Sequence, residues 1–195
     1  PGGAVSLPFR TPRDVELAIP VVRDHLAAGK LLAYPTETVY GLGCAPTEAA
    51  LTALANLKGR PPKKPFLLLV SSEKMPEDWG LVYSRAAEAL AAAFWPGPLT
   101  LILKGGEGRL PDRLRGAEGG IGVRYTSHRG IRDLVEACGV PLTSTSANRP
   151  GSPPAAGAEG VEPLFADAVR AGDLLVLDGG VLGNVPPSTI VDCTE

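Results

Sequence analysis

The sequence has little cysteine, little histidine and no long apolar run, and each shortage excludes a class of protein. Its three cysteines are far apart in 195 residues and lack C-x-x-C spacing, which indicates neither a disulfide framework nor a zinc site. The two histidines, His25 and His128, also lack metal-ligand spacing, so no side chain is predicted to be a metal ligand. A membrane helix needs about 18 consecutive apolar residues, and no such run occurs. We therefore expect a cytoplasmic protein without a membrane partner.

Neither sign of charge is in excess: 19 Lys and Arg residues stand against 21 Asp and Glu, for a net charge of -2 at pH 7. Because gripping a nucleic-acid backbone normally takes a clustered basic surface, we expect at most weak binding of free RNA. The sequence also contains neither the GxxxxGK core of a P-loop nor a Rossmann GxGxxG. A nucleotide site would have to be of another kind.

Helical and strand patterns alternate along the chain, which favours an α/β fold: one domain over residues 1–195, with a twisted, mixed or parallel sheet and flanking helices. The opening Pro-Gly-Gly, without Met, is consistent with a trimmed N-terminus. Pro20 is expected to kink or split the first helix. Strands are predicted over 31–35, 66–70, 99–103, 121–125, 142–145, 174–178 and 189–192, and helices over 12–28, 47–56, 84–95, 128–138 and 162–171.

Two segments bring polar groups to the end of an element. YPTETVYGLG, residues 34–43, runs from a strand into a turn rich in hydroxyls, with Glu37 among them. It either presents polar groups to a ligand or bonds its own backbone, and Glu37 is either structural or a catalytic base. KGRPPKKP, residues 58–65, holds four cations and no acid. It either faces a polyanion such as a triphosphate, through Lys58 and Arg60, or is a solvated basic loop.

Two further features lie on predicted strands. Arg124 interrupts an apolar strand, so it either points inward to an anionic partner or faces water from an edge strand. TSTSAN, residues 143–148, offers neutral donors and acceptors that suit a carboxylate, ribose or phosphate, or it forms a hydroxyl-rich turn bonded to itself. A hydrolase triad of Ser146, His128 and Asp192 lacks the GxSxG elbow that would support it.

Taken in order, these segments resemble the YrdC-like family from about residue 31 to residue 192. The matching motifs are YPTETVYGLG, the K-x-R of Lys58 and Arg60, WPGPLTLIL, GVR, TSAN and STIVD. The resemblance implies an α/β fold with a twisted sheet around a positively charged cavity. It also implies synthesis of threonylcarbamoyl-AMP and pyrophosphate from L-threonine, bicarbonate and ATP, with Mg2+ as cofactor.

The resemblance further implies a role for each matching residue. Lys58 and Arg60 are expected to bind the nucleotide phosphates and to be the catalytic pair. Arg124 is expected to bind the amino-acid carboxylate. The remaining assignments are Thr36, Ser144 and Ser188 to L-threonine, and Ser146 and Asn148 to ATP.

The resemblance implies partners as well as a reaction. The product is expected to pass to a tRNA threonylcarbamoyl transferase complex, while free tRNA binds weakly at most. A non-catalytic RNA- or nucleotide-binding relative of the same fold is the alternative. Arg149-Pro150 departs from the pattern of many relatives. Leu69 stands where some relatives carry a histidine, which suggests the short, single-domain branch.

Overall fold

Ten strands of the described chain form one sheet, with helices packed on it, in this computed structural model. The structure describes residues 6–59, 65–149, 151–183 and 188–195. The strands are β1 Ser6–Pro8, β2 Leu31–Tyr34, β3 Gly41–Gly43, β4 Leu67–Val70, β5 Leu81–Val82, β6 Leu99–Gly105, β7 Ile121–Tyr125, β8 Leu142–Ser146, β9 Leu174–Asp178 and β10 Thr189–Asp192. The helices are α1 Pro12–Ala27, α2 Glu48–Lys58, α3 Met75–Asp78, α4 Arg85–Phe94, α5 Arg129–Cys138, α6 Ala158–Leu164 and α7 Ala166–Arg170.

The sheet is mixed. Its strands run in the order β1-β9-β2-β3-β8-β4-β7-β6-β10, and β5 adds to β6. Pairs β1–β9, β2–β9, β4–β7 and β6–β10 are parallel, whereas β3 pairs antiparallel with both β2 and β8. The predicted α/β class and mixed sheet are confirmed.

Helix α1 starts where its cap residues predicted. The Thr11 side chain accepts from the Asp14 amide, and Asp14 in turn accepts from the Thr11 amide. Of the two outcomes expected at Pro20, a kink or a split, the split does not occur, because the helix is continuous from Pro12 to Ala27. Pro20 lies on the exposed face, opposite the buried Val15 and Val22, so water can reach the carbonyl that lost its donor.

Two other predictions need correction. Residues 158–170 form two short helices instead of one from 162 to 171, because Phe165 leaves the helical region (φ -130°, ψ 37°) to bury its ring. The last three residues of YPTETVYGLG form strand β3, not a turn, because Gly41 and Leu42 pair with both β2 and β8 and Gly43 pairs with β2. Among the described residues, no helix combines the length and apolar character needed to span a bilayer.

Candidate active site

Side chains that pair across neighbouring strands of a sheet share a face, and this sets the layout of the site. Arg124 on β7 pairs with Leu69 on β4 and with Thr100 on β6. Two residues before Leu69, Leu67 pairs with Ser144 on β8. On β8, Ser146 lies two residues after Ser144 and therefore shares this face. Ile190 on β10 pairs with Thr100, and Ser188, two residues before Ile190, lies on the same face. We call it the Arg124 face, and its polar members are Ser144, Ser146, Arg124, Thr100 and Ser188.

Arg124 is a buried cation without an acidic partner. It is 8% exposed, and its Nε and Nη2 donate to Thr100 Oγ1 at 3.3 and 3.2 Å. Nη2 also donates to Ser188 Oγ. Within the described ranges, no carboxylate lies within 4.0 Å of its guanidinium group. Because β7 lies inside the sheet, the alternative of an arginine facing water from an edge strand is wrong.

The electrostatics of Arg124 favour an anionic ligand. Burial lowers the pKa of this guanidinium group, while the nearby Glu37 and Tyr34 act in the opposite direction. A desolvated cation that is bonded only to neutral hydroxyls is stabilised further when an anion arrives. The planar fork of arginine suits a carboxylate.

Space beside Ser144 depends on a glycine. A Cβ on Gly41 would lie 3.0 Å from the ring of Tyr34 and 3.3 Å from Ser144 Oγ. The Tyr34 ring is fully buried, and its hydroxyl donates to the carbonyl of Thr143 at 3.0 Å. Gly41 therefore keeps the half-buried Ser144 hydroxyl clear of the neighbouring strand.

The hydroxyl of Thr36 is taken up by its own turn. It donates to the Val39 carbonyl at 2.6 Å and accepts from the amides of Thr38 and Val39 at 3.1 and 3.2 Å. This is the self-bonded turn that the sequence left open. Because that hydroxyl donates its one proton to Val39, it has no proton left to offer a ligand.

Glu37, in the same turn, has only one of its two oxygens paired. Its Oε2 accepts from Thr126 Oγ1, whereas Oε1 is buried without a hydrogen-bond partner among the described residues. Neither Thr126 nor Thr100 was singled out from the sequence. Thr100 could have been found, since it is the polar residue inside the apolar strand of WPGPLTLIL.

Lys58, the last residue of α2, is held by the loop that follows β8. Its Nζ donates to the carbonyls of Ser146 and Asn148 at 2.7 and 2.9 Å and to Asn148 Oδ1 at 2.7 Å, so all its protons are used. Burial and the charge of Arg149 lower the pKa of Lys58. Lys58 therefore shapes this loop, and it would have to give up one bond to reach a phosphate.

The same loop is tied to two helix ends. Asn148 Oδ1 also accepts from Ser146 Oγ at 2.7 Å. Arg149 donates to the carbonyl of Leu57 in α2 at 3.1 Å and to that of Leu164 in α6 at 2.8 and 3.1 Å. Its guanidinium lies 4.7 Å from the ring centroid of Phe165. Arg149, which departs from the pattern of many relatives, thus anchors this loop to α2 and α6, a role that the sequence did not predict.

Arg60 and Pro150 lie outside the described residues. Of the roles expected from the resemblance, the structure brings Arg124, Ser144, Ser146 and Ser188 to one face, with Lys58 and Asn148 at its border. It does not assemble the hydrolase triad. Ser146 bonds Asn148, the Nδ1 of His128 accepts from the Ile131 amide, and Asp192 accepts from Thr194.

The arrangement can bind anions and hydroxyl groups but offers little to a metal ion. The part of the chain that the structure describes contains no group of three His, Cys, Asp or Glu residues that could hold a metal. Among the described residues, the carboxylate whose charge acts on Arg124 is that of Glu37. These residues do not form a dedicated metal cage.

A family model named for Sua5, YciO and YrdC, with the description "Telomere recombination", matches residues 24–195. The chain belongs to this family. The YrdC-like resemblance inferred from six motifs is thereby confirmed.

The similarity of this Sua5/YciO/YrdC member to its relatives covers most of its length. The threonylcarbamoyl-AMP synthase of Chromohalobacter salexigens is 42% identical over 175 residues, which cover 88% of this chain and 91% of the relative. That of Marinobacter nauticus is 35% identical over 183 residues, or 93% of each chain.

Solved structures of the family share the fold. P. abyssi Sua5, in a complex with L-threonine, superposes with a TM-score of 0.84 at 33% identity over 97% of this chain. The chain spans only 54% of that longer protein. E. coli YciO superposes with a TM-score of 0.81 at 27% identity, over 97% of this chain and 89% of its own.

Proposed function

We propose that this chain is an L-threonylcarbamoyladenylate synthase, a nucleotidyltransferase that uses L-threonine, bicarbonate and ATP. The amine of threonine captures bicarbonate, giving a carbamate and water. A carbamate oxygen then attacks the α-phosphorus of ATP, and pyrophosphate leaves. The relatives named threonylcarbamoyl-AMP synthase support this reaction, as does the family member bound to L-threonine.

One observation in the structure carries the proposal: Arg124 is buried among hydroxyls and has no acidic partner within the described ranges. A free amino acid supplies the missing carboxylate. Ser144 and Ser188, on the same face, offer hydroxyls to the threonine side chain and carbamate, and Thr36 adds its methyl group at the turn. Such a site catalyses mainly by positioning reactants and by neutralising charge.

The nucleotide belongs, in this proposal, at the border of the Arg124 face. Lys58 and Arg60 neutralise the phosphates as the catalytic pair, and Ser146 and Asn148 bind ATP from the loop after β8. Mg2+ enters with the triphosphate, since Mg2+ in such sites keeps several waters and binds chiefly to substrate phosphates. No step of the reaction is assigned to the metal.

The product, an activated carbamate, passes to a downstream tRNA threonylcarbamoyl transferase complex in the cytoplasm. The net charge of -2 supports weak binding of free tRNA at most. The alternative, a non-catalytic RNA- or nucleotide-binding relative of the same fold, predicts instead that tRNA binds tightly at physiological salt.

Pyrophosphate release tests the proposal. We expect release from ATP only when L-threonine and bicarbonate are both present, with threonylcarbamoyl-AMP formed in equal amount. Equal release without threonine would contradict the synthase. Tight tRNA binding without any turnover would favour the non-catalytic alternative.

A further inference from the structure

One oxygen of the Glu37 carboxylate accepts a hydrogen bond, and the other is unpaired among the described residues. Thr126 Oγ1 donates to Oε2, while Oε1 is buried without a hydrogen-bond partner among the described residues. Buried polar atoms are nearly always paired, so an orphaned carboxylate oxygen indicates a donor other than the described residues, such as a bound ligand.

The cations around Glu37 do not fill that position. Arg124 and His128 both lie close enough for the charge of Glu37 to raise their pKa values against the effect of burial. No Lys, Arg or His nitrogen of the described residues, however, lies within 4.0 Å of the carboxylate. The Nδ1 of His128 is engaged elsewhere, because it accepts from the Ile131 amide, and the His128 ring stacks on Phe9.

The position of Glu37 Oε1 relative to Arg124 suits a bound amino acid. Thr126, which holds Glu37, is two residues from Arg124, so their Cα atoms are at most about 7 Å apart. The charge of Glu37 also acts on the Arg124 guanidinium group. Within the described ranges, a cation that lacks an anion and a carboxylate oxygen that lacks a donor thus lie near one another. The carboxylate and amino groups of an α-amino acid are attached to a single carbon, so one zwitterion can satisfy both.

We propose that Glu37 Oε1 accepts a hydrogen bond from the α-amino group of the amino acid whose carboxylate binds Arg124. This inference rests on the proposed function and extends it to the recognition of the amine. Once the ammonium group has released one proton to solvent, an N–H bond donated to Glu37 leaves the nitrogen lone pair directed away from the carboxylate. That lone pair is the one that attacks bicarbonate, so Glu37 both selects and orients the nucleophile.

Glu37→Gln is the sharpest variant. A glutamine can still accept from Thr126 through its carbonyl oxygen, while its NH2 group would then face the amine, donor against donor. Calorimetric titration, with a non-hydrolysable ATP analogue present, compares two ligands: L-threonine and the 2-hydroxy acid in which a hydroxyl replaces its amine. The parent should bind threonine more tightly than the hydroxy acid.

In the Glu37→Gln protein we expect the affinity for threonine to fall about 10- to 100-fold, as for a lost charge-assisted hydrogen bond. The affinity for the hydroxy acid should stay within about twofold, because it carries no ammonium group to lose. Thr126→Val is the matched control: it removes the anchor of Oε2 but keeps the acceptor, so its loss of threonine affinity should be smaller.

Two results would overturn the inference while leaving the synthase standing. One is unchanged threonine affinity in Glu37→Gln, and the other is an equal loss for both ligands, which would mark Glu37 as a structural carboxylate. Failure of the parent protein to bind threonine at all would overturn the proposed function, and this inference with it.

Discussion

At the scale of single residues, the site is built from charges that have left water without meeting an opposite charge. Arg124 and Lys58 are each 8% exposed, and among the described residues each is bonded to neutral oxygens alone. Burial lowers the pKa of both. Each would gain stabilisation from an anionic ligand, because desolvation strengthens the attraction that water would otherwise screen.

Replacing Arg124 tests this directly. For Arg124→Ala we expect a drop of about 10- to 100-fold in kcat/KM for L-threonine, the cost of a lost charge-assisted hydrogen bond. The KM for ATP should change much less. Steady-state kinetics with each substrate varied separately measure the two effects, and Arg129→Ala, at an exposed position, is the control.

The melting temperature of Arg124→Ala should stay close to that of the parent, because the variant removes a buried cation that has no counter-ion in the described part of the chain. If its activity falls only because it unfolds, the assignment of Arg124 to the substrate carboxylate is wrong.

At the scale of elements, helix ends hold the loop that borders the Arg124 face. Lys58 ends α2 and fixes the carbonyls of Ser146 and Asn148. Arg149 satisfies terminal carbonyls of both α2 and α6, groups that have no partner within their own helices. His128 caps the start of α5. The geometry of the loop thus depends on how these helices are terminated.

Arg149→Met should loosen this loop while keeping an unbranched side chain against Phe165. We expect a loss of about 1 kcal/mol in the free energy of unfolding, since Arg149 is exposed and its bonds compete with water. We also expect a several-fold rise in the KM for ATP. Urea unfolding and kinetics measure the two, with Arg170→Met, which removes an exposed ion pair, as control. An unchanged KM would show that the anchor is dispensable for the nucleotide site.

His128 should make the start of α5 sensitive to acid. Burial lowers the pKa of His128 below its usual 6.5, and its Nδ1 must be unprotonated to accept from the Ile131 amide. The contribution of His128 to the free energy of unfolding is therefore complete above about pH 6.5. It is lost as the pH falls through the lower pKa of His128 in the folded state.

Asparagine also caps helices but does not titrate, so His128→Asn should lose less stability than the parent between about pH 7.5 and about pH 5. Urea unfolding at both pH values measures the difference. His25, whose pKa is also lowered by burial, remains in both proteins and cancels in the comparison. Identical acid sensitivity would show that the cap does not carry the effect.

At the scale of the whole molecule, β3 joins the two parts of the sheet. It pairs with β2 on one side and β8 on the other, and so connects the turn that carries Thr36 and Glu37 to the strand that carries Ser144. The contact is close at Gly43, where a Cβ would lie 1.9 Å from the carbonyl oxygen of Thr143.

Gly43→Ala should therefore destabilise the fold, because neither strand can move without breaking the ladder. We expect a loss of about 2 to 4 kcal/mol in the free energy of unfolding, the range of severe overpacking. Gly183→Ala, where no atom lies within 4 Å of the added Cβ, is the matched control and should unfold like the parent. Equal stability of the two variants would mean that β3 and β8 can move apart at Gly43 without destabilising the fold.

Much of the fold and part of the candidate site could be predicted from the sequence, because both rest on local signals. Helices α1, α2 and α4 begin after Thr11, Thr47 and Ser84, whose side chains accept from backbone amides of the first turn. Strands β7, β9 and β10 have the predicted bounds. The order of six motifs was sufficient to predict the family, and the cationic residues within them were sufficient to indicate anion binding.

Only the tertiary structure decided which of these residues meet. Glu37 bonds Thr126, 89 positions away, Lys58 bonds Asn148, 90 positions away, and Arg124 bonds Ser188, 64 positions away. Such contacts depend on the order and register of strands, which no local pattern in one sequence encodes. The same limit explains why the sequence predicts a turn where β3 forms, since three residues with two glycines become a strand only when β2 and β8 lie on either side.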